Sequence, residues 1–406
     1  MTITCGVDWA ENHHDAAVMD EHGTVLGRTR IDTGPAGFAQ LQTLIAEHGG
    51  SAEDTAVAIE TDKNLLVVAL TAAGYTVHAI NPRAVARYRE RWGQAGGKSD
   101  AADAAILADI LRTDRHVHRP LPRLSEQALA VRALARQHQE AIWARDQTIS
   151  RLRSVLLDFY PSALQAFPKL KHRAAMTILT AAPTPTAGRK LTDSQIQRLL
   201  KKAGRRNDPT LVAAIRTALH SPTLAQPAAV EEALGRVVGG LTAIISAMLD
   251  TVATLESTLS QALAEHPDAE VLRSVPGVGK VIGARLLAEI GDDPERFESA
   301  SAIRSFAGTA PVTIASGRSR YVKARRVRNK RLADAAHWWA FAALTWSSGA
   351  REFYDGRRAR GENHNAALRT LANKLIGRLW WCLKQHQPWD ETTAWPEHRR
   401  PTAKAA

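Results

Sequence analysis

The first 113 residues carry an order of elements that few folds accept. TITCGVD (2–8), HDAAVMD (14–20) and TVLGRTRID (24–32) are short apolar runs separated by tight turns, and they read as three consecutive strands of an antiparallel meander. The pattern then changes to alternation. A helix over 35–47 opens with Pro35 in its first turn, TAVAIE (55–60) is a fourth strand, and a helix over 62–73 leads to a fifth strand, YTVHAIN (75–81). After Pro82 come a helix bearing Arg83, Arg87, Arg89 and Arg91, a break at Gly96-Gly97, and a helix from Asp100 to about Arg112 that Ser99 can cap.

Three strands followed by alternating helices and strands predict a mixed sheet with helices on its faces, the ribonuclease H-like arrangement. Asp8 and Glu60 fall at the C-terminal ends of predicted strands. Asp100 and Asp103 stand i, i+3 on one helix face, and Ile106, Leu107, Ile110 and Leu111 continue the stripe that packs on the sheet. These placements bring four carboxylates towards one edge. Clustered carboxylates repel unless a cation offsets them. Mg²⁺ suits hard oxygen ligands, and a pair of ions can clamp the attacking and leaving oxygens of a phosphodiester. Each acid alone has a plainer reading, as a strand-end turn residue or a partner of the helix dipole; the ordered set D…E…D-x-x-D is what makes the pattern specific. Asp15, Asp20 and Asp62 read as turn or surface acids.

Charge is unevenly placed along the 406 residues. The formal net charge is +12 with a pI near 10.0, which points to a polyanionic partner, most often nucleic acid. Residues 1–113 hold 9 Lys/Arg and 15 Asp/Glu, a net of −6, so the remainder carries +18. An acidic head on a basic body suggests metal chemistry in one part and polyanion binding in the other. The basic residues gather after Ser316-Gly317: Arg318, Arg320, Lys323, Arg325, Arg326, Arg328, Lys330 and Arg331 occupy eight of the next fourteen positions, with no acid between Glu298 and Asp334. A hydroxyl beside a glycine, in a field of positive charge, is where a phosphodiester can sit. The plainer alternative is a solvated basic loop with an incidental serine, and Ser319 is close enough to be a rival. The apolar run that follows, with Trp338, Trp339, Phe341 and Leu344, reads as a buried helix anchoring the loop. Trp380 and Trp381 read as core with Trp338 and Trp339.

Elsewhere the chain reads as connectors. Residues 113–123 form a Pro- and Arg-containing linker. Two long helical patterns, over 125–160 and about 227–265, can pair as a coiled coil within the chain or between subunits, with dimerisation favoured. Between them lie a loop at 182–190 and a basic helix end with Lys201, Lys202, Arg205 and Arg206. Pro276, Gly277 and Gly279 read as the hairpin of a helix-hairpin-helix; its backbone N–H groups and the adjacent Lys280 suit a DNA phosphate. A basic turn (Arg357, Arg358, Arg360), a helix over 363–384 and an extended tail from Gln385 complete the chain. The two cysteines, Cys5 and Cys382, have no zinc-ligand spacing and fit a reducing cytoplasm. Absence of a signal pattern and of an apolar run of 18 predicts neither export nor membrane spanning.

With these motifs the chain resembles the DEDD transposases of bridge-RNA-guided insertion sequences, whose N-terminal domain is similar to RuvC-type Holliday-junction resolvases. The matching segments are Asp8 in GVDWAENHHDAAVMD, Glu60 in AIETDKN, and Asp100 and Asp103 in GGKSDAADA. PGVGKVIGARLLAEIGD (276–292) and FAGTAPVTIASGRS, with Gly308, Pro311, Ser316 and Gly317, match in the second half. The resemblance implies a RuvC-like catalytic domain over 1–113, a helical coiled-coil connector over 114–270, a mainly helical serine-bearing domain over 271–385, and a tail over 386–406. It further implies that Asp8, Glu60, Asp100 and Asp103 hold Mg²⁺, and that Ser316 attacks a DNA phosphate to form a phosphoserine link. A structured guide RNA would pair with donor and target DNA. The protein would act as a dimer or tetramer in which the serine of one subunit meets the acidic site of another. Besides a nucleic-acid-binding protein with a dead catalytic site, two other functions stay open on the residues. One is a RuvC-like, Mg²⁺-dependent nuclease that cuts Holliday junctions with activated water and forms no covalent intermediate. The other is an actin-like phosphotransferase, since the first segment also resembles a sugar-kinase phosphate loop, although further Gly-rich loops are absent.

Overall fold

The computed structural model describes residues 2–92 and 99–396, so the Gly96-Gly97 break and the end of the tail lie outside it. The chain divides into two compact units, Met1–Arg123 and Leu124–Ala406. In the first, β1 (Thr4–Trp9), β2 (His13–Met19), β3 (Val25–Asp32), β4 (Ala56–Ile59) and β5 (Thr76–Ala79) form one sheet in the order β3-β2-β1-β4-β5. The first three strands pair antiparallel, and β1, β4 and β5 run parallel. The expected mixed sheet is therefore present, with every expected strand in place.

Helices cover both faces of this sheet. Helices α1 (Pro35–Glu47) and α2 (Leu65–Ala72) enclose a core of Cys5, Val7, Ile31, Leu41, Ile59 and Leu70 on one side. Helices α3 (Pro82–Trp92) and α4 (Asp100–Asp114) bury Ala58, Val85, Leu107 and Ile110 on the other. The contact between β1 and α4 is unusually close. A Cβ at Gly6 would overlap the carbonyl oxygen of Ala104 and the amide nitrogen of Ala108, and Thr4 Oγ1 donates to Ala108 O at 3.0 Å. Only a residue without a side chain lets the helix backbone lie on the strand in this way. Burial pushes the Cys5 thiol up to about 12, so it is an inert core group.

The second unit is helical apart from one hairpin. Its helices are α5 (Glu126–Phe159), α6 (Pro161–Ala166), α7 (Arg173–Ala181), α8 (Pro185–Arg189), α9 (Asp193–Lys202), α10 (Pro209–Leu219) and α11 (Ala228–Ala264), then α12 (Ala269–Ser274), α13 (Lys280–Ile290) and α14 (Ala300–Phe306). The hairpin of β6 (Val312–Ser316) and β7 (Ser319–Lys323) precedes α15 (Lys330–Trp346), α16 (Ser348–Ala359), α17 (His364–Gln385) and α18 (Glu391–Ala394). The long helices α5 and α11 pack against each other within the chain. They serve two cores. Leu152, Leu156, Val238 and Ile245 join α6, α7, α9 and α10, while Val131, Ala135, Leu259 and Leu263 join α13, α15 and α17. Of the two pairings the pattern allowed, the one within the chain is present, and Leu129 and Val237 of the two stripes stay exposed.

Four local expectations are corrected. Residues 185–189 form α8 rather than part of a loop, and Arg357 and Arg358 lie in α16 rather than in a turn. The chain beyond Gln385 is not simply extended: it forms α18 and buries Trp395. Contrary to the expected lack of such a run, α11 is long and apolar enough to cross a membrane by length and composition, yet Val238, Leu241 and Ile245 place it in a core with α5 and α7.

Gly6→Ala is expected to force α4 off the sheet and lower stability by about 1–3 kcal/mol or more, read from urea unfolding. The burial of His78 and His138 pulls each imidazole down to about 4 from an ordinary 6.5, with Arg115 and Arg285 respectively adding repulsion. Because the folded state disfavours the charged ring, their contribution is complete above 6.5 and is lost as pH falls from there towards 4. The melting temperature is therefore expected to drop between about pH 7 and pH 5, and a flat profile in scanning calorimetry contradicts this.

Candidate active site

The register of the sheet assembles the acidic edge. In the antiparallel pair, Asp8 stands directly opposite Asp15. In the parallel pair, Val7 is opposite Ile59, so Glu60 follows beside Asp8 at the strand ends. Side chains two apart on a strand share a face. Thr4 and Gly6 both meet α4, and so does the face that carries Asp8. Two strand residues advance roughly 6.6 Å, and four helix residues roughly 6 Å. Stepping along β1 from Thr4 to Gly6 therefore steps back along α4 from Ala108 to Ala104, and the next step sets Asp8 against Asp100.

The side chains agree with this register. Asp100 begins α4, where Ser99 caps the helix by accepting from Ala102 N. Ligand atoms of His13, Asp15 and Asp100 all lie within 4.8 Å of one another, a group able to hold a divalent metal ion. The set is one nitrogen and two carboxylates, joined along the same face by half-buried Asp8 and Glu60. His13 Nε2 is buried and makes no hydrogen bond among the described residues, which leaves a lone pair or proton for a ligand.

Asp103 is placed differently. Its carboxylate is buried and takes two bonds from Arg89 of α3, Nε to Oδ1 at 2.8 Å and the terminal nitrogen to Oδ2 at 2.7 Å. Asp103 is therefore near the edge but committed to a guanidinium. Asp15, read from sequence as a turn or surface acid, is instead 6% exposed in the middle of β2 and held by Arg30 on the next strand at 3.1 Å. Its signal was available: a tight turn between β1 and β2 puts the residue seven after Asp8 opposite it. Asp20 is a turn acid as expected, accepting from the backbone of His22 and Thr24, and these bonds lower its carboxyl below the usual range against the burial that raises it. Asp62 is exposed.

In the second unit the expected basic loop is a two-stranded ribbon. Ser316 and Ser319 form its closing pair, with Gly317-Arg318 as the two-residue turn. Gly317 has φ +54 while Arg318 is not among the residues with positive φ, the pattern of a type II′ turn with glycine first. All residues from Thr313 to Lys323 are exposed, so both hydroxyls, Arg318, Arg320 and Lys323 are open to a large ligand. The foot of the ribbon is clamped. Arg325 Nε donates to Ala310 O at 3.4 Å and Asn329 N to Phe306 O at 2.9 Å. Asn329 also caps α15 and donates to Glu289, which Arg136 holds at 2.8 Å. Burial opposes charge on Glu289, but Arg136 and Asn329 outweigh it and lower its carboxyl below the ordinary value.

Arg326, Arg328, Lys330 and Arg369 line a cavity of about 450 Å³ at that foot, with His337 and Asp334. Arg331 turns aside to pair with Glu140. His337 is half-buried against an exposed Trp338, and only Trp339 of the four expected core tryptophans is fully buried. Trp339 donates Nε1 to Pro276 O at 3.0 Å, which fixes the expected hairpin on α15. Gly277, at φ +77, packs so closely on Ala343 that a Cβ would overlap it, so its first duty is packing. Gly279 and Lys280 are exposed at the start of α13.

Comparison with known proteins adds independent support. A family model described as Transposase, for the DEDD transposases of IS110 elements, matches residues 5–161. A second, described as Transposase IS116/IS110/IS902 family, matches residues 269–355. A mini-circle protein of IS117 from Streptomyces coelicolor is 46% identical over 400 residues, covering 97% of each chain. A 42 kDa protein of insertion element IS900 from Mycobacterium paratuberculosis is 28% identical over 96% of this chain and 98% of its own. A 43.6 kDa protein of IS110 from Streptomyces coelicolor is 33% identical over 71% of each.

Arg89→Met is expected to leave the Asp103 carboxylate buried and unpaired and to lower stability by roughly 3 kcal/mol. Adding Asp103→Asn is expected to restore most of that loss in urea unfolding, because the charge that needed a partner is then gone.

Proposed function

This chain belongs to the IS116/IS110/IS902 family of insertion-sequence transposases, and from that premise we propose that it cuts and rejoins DNA strands with Ser316 as the attacking group and the acidic sheet edge as a Mg²⁺ site. The observation that carries the proposal is the pairing of a register-built carboxylate row, Asp8, Asp15, Glu60 and Asp100, with an exposed serine at the tip of a basic ribbon. The strand order β3-β2-β1-β4-β5, with acids at the ends of the two central parallel strands, supports a ribonuclease H-like reading of the first unit. The domain division at 113, 270 and 385 is proposed on the motifs.

In this proposal the ribbon of one subunit and the acidic edge of another act on one phosphodiester. Ser316 Oγ attacks phosphorus and gives up its proton. The bond to the leaving deoxyribose oxygen breaks, that oxygen takes up a proton, and a phosphoserine ester remains. A hydroxyl from another strand reverses the step, so no phosphodiester energy is lost. Mg²⁺, when bound, supplies charge stabilisation at the attacking and leaving oxygens. Asp8, Glu60 and Asp100 would hold it, and Asp103, paired with Arg89 in this structure, would be the fourth ligand. Arg318, Arg320, Lys323, Arg325, Arg326, Arg328 and Lys330 bind and align phosphates, as do Gly279 and Lys280 at the start of α13. Arg331 and Gly277 support that surface by packing. The likeness to bridge-RNA-guided elements leads us to include a structured RNA that pairs with donor and target DNA, and a dimer or tetramer acting in the cytoplasm.

Ser316→Ala is expected to abolish a covalent protein–DNA adduct, trapped by denaturing electrophoresis, while DNA binding persists. An adduct that survives the change excludes Ser316, and cleavage without any adduct supports the water-activating nuclease instead. Asp100→Asn is expected to lower strand cleavage about a hundredfold or more at saturating Mg²⁺. RNA recovered with the purified protein is expected to have one sequence from the element's own flank.

A further inference from the structure

Helix α15 carries two apolar faces, and only one of them is used in a core. Leu332, Ala335, Ala336, Trp339 and Ala343 are buried where α15 packs on α13 and α17. Trp338 and Phe341 lie on the opposite side and are 51% and 50% exposed. With Lys330, Asp334 and His337 they recur at helical spacing along one stripe. The rings of this stripe order one another. His337 meets Trp338 at 5.6 Å, Trp338 meets Phe341 edge to face at 6.3 Å, and Phe341 meets His364 of α17 at 6.3 Å. Tyr354 of α16 ends the row, its hydroxyl bonded to His364 Nδ1 at 2.7 Å. Single exposed apolar residues are ordinary, whereas a contiguous aromatic row left in solvent marks a contact surface.

The row leads into the cavity at the root of the ribbon. His337 lines that cavity with Arg326, Arg328, Lys330, Asn365 and Arg369. Four cations face one acid there. Asp334 is the only carboxylate of the lining among the described residues, and it already accepts from Gln139 Nε2 at 2.7 Å and from Arg285 at 3.4 Å. The fold fixes Arg328 at this place: its stem fills the space that a Cβ on Gly308 would need, and its terminal nitrogen donates to Arg325 O at 3.1 Å. The excess of positive charge suits phosphates, and the adjoining rings suit the bases that phosphates carry. An apolar helix or a lipid tail would match the rings and leave the cations facing no anion. A free phosphate would match the cations and leave the rings in water.

We propose that the aromatic face of α15 and the adjoining cavity hold an unpaired stretch of DNA, with bases on Trp338 and Phe341 and phosphates at Arg326, Arg328, Lys330 and Arg369. The inference rests on the reading of Ser316 as the group that attacks a DNA strand. Rings set edge to face offer their flat sides in different directions, which fits bases splayed apart. Bases inside a duplex stack on each other and have no free face. Each strand of the ribbon has 5 residues, so the tip lies at most about 17 Å from this root. Cutting and rejoining a strand at the tip frees nearby bases from their partners, and those bases are DNA. The rings and cations at the root hold them while the strand changes partner.

The test is equilibrium binding by the full chain without divalent metal, read by fluorescence anisotropy, so it does not depend on cleavage. The probes are oligothymidylate, its duplex with oligodeoxyadenylate, oligouridylate, and an abasic oligodeoxynucleotide of the same length. Trp338→Ala combined with Phe341→Ala, both at exposed positions, is expected to weaken oligothymidylate binding about tenfold and to change the duplex and the abasic oligomer by less than about twofold. Trp338→Tyr combined with Phe341→Tyr keeps the rings and is expected to retain the affinity. Lys330→Gln combined with Arg369→Gln is expected to weaken thymidylate and abasic oligomers alike, and to lower the slope of log affinity against log salt by about 1.4. The proposal is overturned by equal losses from the alanine pair on base-bearing and abasic oligomers or on strand and duplex, by no loss, or by an unchanged salt slope. A loss greater on uridylate than on thymidylate assigns the face to RNA and overturns it too. If Ser316→Ala leaves a covalent adduct while the thymidylate contrast holds, the nucleophile reading fails and the face stands as an unpaired-strand site.

Discussion

The backbone of β1 and the backbone of α4 touch at Gly6, and the acidic edge follows from that contact. With no Cβ at that position the helix settles on the strand, and Thr4 Oγ1 locks the next turn to it. A strand and a helix running in opposite senses then stay in step for two more residues. The step carries Asp100 to Asp8 without any attraction between them. This matters because like charges do not assemble themselves; packing energy elsewhere must hold them together. The apolar groups Leu107, Ile110 and Val85 on the same face supply it.

Cations meanwhile decide which carboxylates remain available. Arg30 binds Asp15 and Arg89 binds Asp103, each through two nitrogens. Such pairs in a half-buried place keep a cluster of acids folded when no metal is bound. They also set a hierarchy: a group released from Arg89 has more to give up than exposed Asp100. The first unit is net negative, yet its acidic edge is lined by arginines drawn from β3 and α3.

In the second unit the same logic runs with opposite sign. A ribbon dense in positive charge projects from a body whose buried charges are paired. Arg136, Glu289 and Asn329 form one such set at its foot, and Arg285, Asp334 and Gln139 another. Those sets anchor α5, α13 and α15 to one another, so that the ribbon has a fixed root and an exposed tip. In the proposed reaction both features serve the Ser316 hydroxyl, which has to reach a phosphodiester.

The sequence by itself determined the order of strands and helices in the first unit, because alternation of apolar residues and the punctuation of Gly, Pro and cap residues are local signals. It also determined that Asp8 and Glu60 end strands and that Ser316 sits in a basic field. Tertiary structure alone decided which acids meet. Asp15 looked like a surface residue because its burial and its partner Arg30 come from the sheet, although the tight turn after β1 already set it opposite Asp8, and Asp103 looked like a free ligand because Arg89 lies fourteen residues away on another helix. The ribbon was read as a loop since two fully exposed strands leave no period-two pattern to find. His337 and Arg369 line one cavity only after α15 and α17 pack together. Local signals name the elements, whereas register and packing, which depend on residues distant in the chain, choose the neighbours that do chemistry.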